Sequence, residues 1–208
     1  MRYILDIDPR FKIQEEVVKT WSLPVYISIS GDIDEENAKK FRDNLSMTED
    51  AAYRSGQEII PITIDTFGGD VYALMGMIDA IKNCALPIAT IIEGKAHSAG
   101  AFLFSCGTEG YRFMGPNASL MIHSVSAGYF GRVEELKTRT EEVVRVNEKL
   151  FEIMSQNCGH HPEYFSRIVK EKQIDWFLTT DEATKHNLAN KIHLPTFKVK
   201  AELSYKFE

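Results

Sequence analysis

Apolar residues recur at every second position in some stretches of the chain and at every third or fourth in others, and the changes between these periods mark its elements. Val25-Tyr-Ile-Ser-Ile-Ser30 alternates as a strand does, and Gly31-Asp32 turns the chain. Asp34 to Leu45 reads as a polar-faced helix, while the polar, acidic stretch Ser46 to Glu58 is expected to be a loop or a ragged helix end. Ile59 to Thr66 is a second strand. It runs through Phe67-Gly-Gly-Asp70 into an apolar helix, Val71 to Asn83, and Ile88 to Glu93 supplies the next strand. Strand, two-glycine turn, helix and parallel strand form a crossover unit, so the fold class is α/β.

From Ile88 to Gly107 the pattern is a buried strand, a tight turn and a buried helix, with Ser98 at the turn between small residues Ala96, Ala99, Gly100 and Ala101. Tyr111 to Met114 is a short strand, Gly115-Pro-Asn117 a turn, and Ser119 to His123 an apolar strand ending in a histidine. Ser124 to Gly131 reads as an irregular extended loop. Val133 to Gln156 is the longest helical signal, with Val133, Leu136, Thr140, Val143, Asn147, Leu150 and Met154 at alternating three and four spacings. A helix of some 24 residues reaches about 36 Å, more than a domain of this size needs for its own core, so it is expected to project onto another subunit. A helix from Pro162 to Lys172 follows, then Gln173 to Leu178, then a helix opened by Thr179 or Thr180 and closed near Asn187. Phe11, Ile13, Val17, Val18 and Trp21 could make a short amphipathic segment closed by Pro24, and Phe197 to Leu203 a final strand.

Composition narrows the function. The chain has 208 residues, 44% of them hydrophobic and 26% charged, which fits one soluble domain spanning 1–208. A formal charge of −6 with no long basic run argues against nucleic acid or an anionic membrane as partner. No apolar run reaches membrane-spanning length, and the first residues carry acids where a signal peptide is apolar, so the expected location is cytoplasmic. Cys84, Cys106 and Cys158 lie far apart and read as buried thiols. The run Cys158-Gly-His-His-Pro162 reads as a helix end and restart rather than a metal site, so no metal is expected. The double glycine lacks the following Lys-Ser/Thr or third glycine that a nucleotide site requires.

Two candidates for chemistry remain. Ser98 is either a helix N-cap or a nucleophile at a strand-to-helix turn. His123, where a strand leaves the core, is either structural or a general base. His97 adjoins Ser98 but is expected to point elsewhere, and Asp65, Asp70, Asp79 and Asp181 fit turn and cap positions.

The segments Asp65-Thr-Phe-Gly-Gly-Asp70, Gly94-Lys-Ala-His-Ser-Ala-Gly-Ala101, Met121-Ile-His123 and Ile174-Asp-Trp-Phe-Leu-Thr-Thr-Asp-Glu-Ala183 resemble, in order, motifs of the caseinolytic peptidase (ClpP) family. The likeness covers roughly Val25 to Leu194. It implies a crotonase-like spiral of ββα units with a projecting handle at about 124–157, a divergent N-terminal segment 1–24, and a serine endopeptidase that needs no cofactor. Carried over by position, Ser98 is the nucleophile, His123 the base and Asp175 the orienting carboxylate, with the N–H groups of Gly69 and Ala99 as oxyanion hole. Gly68, Asp70, Val71, Val125, Ser126 and Ala127 would bind a peptide or unfolded protein as an added strand. The resemblance further implies a homo-oligomer of heptameric rings stacked as a tetradecamer, and an AAA+ unfoldase as partner. Where the family has Asn-Ser-Pro-Gly-Gly this chain has Asp65-Thr-Phe-Gly-Gly, and Gln173-Ile174 replaces a charged pair before the aspartate, departures that suit a phage or organelle member. A catalytically inactive ring subunit and an acyl-CoA enzyme of crotonase type are the alternatives.

Overall fold

A computed structural model describes residues 2–6, 23–172 and 175–200. The amphipathic segment expected between Phe11 and Trp21, the pair Gln173-Ile174 and the tail beyond residue 200 lie outside the described residues. In chain order the elements are β1 (Arg2–Asp6), β2 (Ile27–Ser30), α1 (Glu35–Ser55), β3 (Ile60–Thr66), α2 (Val71–Asn83), β4 (Ile88–His97) and α3 (Ala99–Ser105). They continue with β5 (Arg112–Met114), β6 (Ser119–Ile122), α4 (Val133–Asn157), α5 (Tyr164–Lys172), β7 (Trp176–Leu178), α6 (Thr180–Lys185) and β8 (Thr196–Lys200). The architecture is mixed α/β, as the resemblance to the ClpP family with its crotonase-like spiral implies.

The main sheet runs β2-β3-β4-β6-β7, with β5 also on β4. Every pairing in it is parallel except β6 with β7. Strand β4 serves two partners along its length: Thr90 to Ile92 pair with β5, and Lys95 to His97 pair with β6. Between these halves β4 bulges, because Ile64 of β3 pairs with Ile92 but Thr66 pairs with Ala96. Gly94 makes the bulge possible, since a Cβ there would stand 2.8 Å from the Asp65 carboxylate. This displacement carries the end of β4, and Ser98 after it, to the side of β6.

One sheet face buries Ile27, Ile62, Ile64, Ile92, Ala96, Leu120 and Ile122 against the helices, and the opposite face holds a small cluster of Ala89, Ile91 and Phe113. The helical stripe of α4 divides in two. Leu150 and Met154 are fully buried, while Val133 and Thr140 are exposed, so only the C-terminal half packs on this chain.

One expectation is corrected. Ser46 to Glu58 is not a loop: α1 continues to Ser55, opened by the Asp34 side chain on the Asn37 N–H and closed at Gly56 in a left-handed conformation. Ala38, Phe41, Leu45 and Ala52 keep one helical face buried, Asp43 and Asp50 between them are exposed, and Glu49 accepts from the Ala85 N–H at 2.6 Å. At the N-terminus, Arg2–Asp6 forms a strand that pairs in parallel with β8 as a separate two-stranded sheet, a pairing between chain ends that no local pattern announces.

Candidate active site

The turn after β3 is set by backbone bonds to a neighbouring loop. The Gly68 carbonyl accepts from the Ile33 N–H at 2.8 Å, and the Ile33 carbonyl accepts from the Asp70 N–H at 2.7 Å. The buried Thr66 hydroxyl oxygen accepts from the Gly68 N–H at 3.0 Å. Both glycines have positive φ, 110° and 148°. A Cβ on Gly69 would fall 2.1 Å from the Ile33 carbonyl oxygen, and one on Gly68 would fall 2.7 Å from the Ser98 Cβ. Only glycine lets this turn press against Ser98. Among the described residues the Gly69 N–H meets no acceptor.

Ser98 joins β4 to α3 at φ 53°, ψ −120°, an uncommon conformation for a residue with a side chain. Its N–H donates to the Met121 carbonyl at 2.9 Å, tying the turn to β6. Its hydroxyl does not cap α3. Instead Oγ stands 2.7 Å from Nε2 of His123. The Ala99 N–H, in the first turn of α3, has no acceptor within its helix.

His123 and Asp175 are brought together by register. The antiparallel pairing of β6 with β7 sets Ile122 opposite Trp176, so the next residues outward, His123 and Asp175, face each other. Nδ1 of His123 lies 3.3 Å from Oδ1 of Asp175, whose side chain is 55% exposed. With the ring proton on Nδ1, toward the carboxylate, Nε2 is left to accept from the Ser98 hydroxyl.

The remaining expected residues divide by how their polar groups are used. The Asp70 carboxylate caps α2, accepting from the Tyr72 and Ala73 N–H groups at 2.9 and 2.8 Å. The Val125 N–H donates to Oδ1 of Asn147 on α4 at 2.9 Å. Val71 is half-buried, and Ser126 and Ala127 are exposed in the loop beyond His123. Asn147 and Thr66 were not singled out from the sequence as site residues. A polar residue inside the apolar stripe of α4 was the available signal for Asn147; a threonine ending an apolar strand gave none.

His97 points to the other face of the sheet from Ser98. Its Nε2 is 2.8 Å from the Ser119 hydroxyl, and its ring meets Phe67 and Phe177 edge-on at 5.6 and 5.5 Å. Partial burial and the neighbouring Lys95 hold its imidazole below the ordinary range. Lys95 pairs with Asp65 at 2.7 Å and lies over the Phe67 ring. The ring row thus links the ends of β3, β4 and β7, each of which leads into or out of the site. Burial pushes the thiols of Cys106 and Cys158 up to about 11 and about 12. Among the described residues no group of three or more His, Cys, Asp or Glu is gathered to hold a metal. No helix among them is long and apolar enough to cross a membrane.

Against known families, residues 14–195 match the Clp proteases. The chain belongs to the Clp protease family. In this member of the family, the segment around Ser98 that resembles the family's serine motif lies at the φ 53° turn, and those around His123 and Asp175 lie on the β6 and β7 ends that meet there. The family is one of peptidases, and its members form rings.

Proposed function

We propose that the protein is a serine endopeptidase that cleaves peptides and unfolded chain segments within a ring of its own copies. The observation that carries this reading is the continuous chain Ser98 Oγ to His123 Nε2 at 2.7 Å and His123 Nδ1 to Asp175 Oδ1 at 3.3 Å. As a peptide carbonyl approaches, His123 takes the Ser98 proton while Oγ bonds to the carbonyl carbon. The developing oxyanion is met by the N–H groups of Gly69 and Ala99, neither of which meets an acceptor among the described residues. His123 then passes its proton to the leaving amine, the C–N bond breaks, and water repeats the sequence on the acyl-serine. Asp175 keeps the proton on Nδ1 throughout, so that Nε2 always faces Ser98.

Val71 and the stretch Val125 to Ala127 would flank the bound peptide, with Gly68 forming the floor. The Asp70 and Val125 N–H groups are already engaged, so strand-like recognition would fall to the neighbouring carbonyls and to Ala127. No metal or organic cofactor enters this chemistry. Heptameric rings stacked as a tetradecamer and an AAA+ unfoldase that feeds them are parts of the same proposal.

A fluorophosphonate probe tests it. Wild type is expected to be labelled and to turn over unstructured peptides, Ser98→Ala to do neither, and His123→Ala to lose about four orders of magnitude or more in kcat. The half-exposed Asp175 carboxylate favours one second reading, a ring subunit whose triad is misaligned. Large assemblies that resist the probe and leave peptides intact would establish that reading instead.

A further inference from the structure

Asp175 has little of its own to hold it. Its carboxylate is half exposed, and among the described residues His123 is its one polar partner. The strand that follows has three residues, of which Phe177 is exposed while Trp176 and Leu178 are buried. Trp176, 4% exposed and bonded directly to Asp175, is therefore what fixes the start of β7. The indole N–H finds no acceptor among the described residues, so the ring is placed by its neighbours rather than by a hydrogen bond.

Those neighbours form a built cluster. The His186 ring, at the end of α6, meets the indole edge to face at 5.0 Å and 88°. Lys172 lies over the indole at 5.2 Å, and Phe165 is 6.4 Å away. His186 is in turn fixed from outside its own helix at two points. Its Nδ1 is 2.8 Å from the Tyr164 hydroxyl, and its carbonyl accepts from Nε2–H of His160 at 2.9 Å. His160 stacks on Tyr164 at 3.9 Å, which closes the cluster. A phenylalanine could fill the same space, but it could not hydrogen-bond to Tyr164.

We propose that His186 is a positioning residue for the catalytic pair: locked by Tyr164 and His160, its ring sets the Trp176 indole and thereby aims the Asp175 carboxylate at His123. The assignment rests on the peptidase reading above. Neutral imidazole is the working form: the ring shares one hydrogen bond with the Tyr164 hydroxyl, and a second ring proton would bring a charge into a half-buried contact. The groups facing it are the Tyr164 phenol and the Lys172 ammonium of α5, Glu182 and Lys185 of α6, and His160 of the α4–α5 turn. Burial first, and then Lys185, His160 and Lys172 against the opposing Glu182, hold His186 below the ordinary imidazole range. Acid therefore adds a charge to a half-buried ring beside two ammonium groups.

The test is the rate of fluorophosphonate labelling of Ser98 across pH in the full chain, for wild type, His186→Phe and Tyr164→Phe. At neutral pH both variants are expected to lower the maximal labelling rate, His186→Phe by about ten-fold, with probe affinity unchanged, as for a small misplacement of a reacting group. On the acid side the ratio of the wild-type rate to the His186→Phe rate is expected to shrink from about ten toward one as His186 takes up a proton. In a Trp21→Phe background, Trp176 emission is expected to titrate with His186 in the wild-type site and to stay flat in His186→Phe. A labelled wild type whose rate keeps a constant ratio to that of His186→Phe across pH, or with variants that match its rate, overturns the assignment alone. An unlabelled wild type overturns the peptidase reading, and the assignment falls with it. Tyr164→Phe, which removes one oxygen, keeps the test open if His186→Phe fails to fold.

Discussion

Gly69 sits at φ 148°, and a methyl group there would meet the Ile33 carbonyl oxygen at 2.1 Å, so both strain and collision oppose any side chain. Gly31 offers the contrast, at φ 91° with nothing within 4 Å of the added carbon. Gly31→Ala is expected to cost about 1–2 kcal/mol of stability from backbone strain and to leave labelling of Ser98 intact. Gly69→Ala is expected to abolish labelling, because the turn must move away from Ile33 and takes the unbonded N–H with it. Denaturant melts paired with probe labelling separate the two; a Gly69→Ala protein labelled like wild type would remove Gly69 from the oxyanion assignment. At this scale the sequence was most legible in which side chains meet, since Ser98, His123 and Asp175, far apart in the chain, stand 2.7 and 3.3 Å from one another in turn. It was least legible where a side chain serves a distant backbone group, as Asn147 does for Val125 across 22 residues.

Elements act here by where they end. Strand β4 is long enough to pair with β5 and then, after its bulge, with β6, and that second pairing is what sets Ser98 beside the strand leading to His123. The boundaries of α2 and α6 were readable because their caps are local: Asp70 for α2, and for α6 the reciprocal bonds of Thr179 and Glu182. The length of α1 was not, since its second half keeps only Ala52 buried within a run of charges. Helix α4 holds the loop beyond His123 through Asn147. Replacing Asn147 with leucine leaves the part-buried Val125 N–H without an acceptor, a cost of about 1–3 kcal/mol. Asn147→Leu is expected to raise protease cleavage within 124–132 and to lower peptide turnover while the far-ultraviolet helix signal stays constant. Unchanged cleavage and turnover would show that the loop is held by other means.

Across the whole molecule the fully buried Arg112 gathers the ends of three helices, donating to the carbonyls of Gly107, Asn157, Asn187 and Leu188 and to Glu109. That hub places α6, and with it His186, against β7. His186 and His97 both lie below the ordinary imidazole value of 6.5, so in acid the unfolded chain binds more protons than the folded one. Their contribution is complete above that value and is lost as pH falls from it toward the lowered folded values. The melting temperature is expected to drop from about pH 7 to pH 5, and less steeply in His186→Phe; equal slopes would assign the loss to other groups. The outer surface makes a separate demand. Phe130 at 104% exposure, just before α4, and Val133 at 76%, its first residue, stand at the exposed end of the stripe whose other half is core. Large apolar side chains gain about 1.5–3 kcal/mol each on full burial, so a ring partner covering this end would recover that energy at every subunit. Phe130→Asp with Val133→Asp is expected to shift sedimentation from a large assembly toward small species without altering the monomer's helix content, because neither side chain is part of the core. Labelling of Ser98 should fall in step if assembly also steadies the half-exposed Asp175. A wild type that sediments as a monomer, or a double variant that assembles like wild type, would remove this end of α4 from the ring contact.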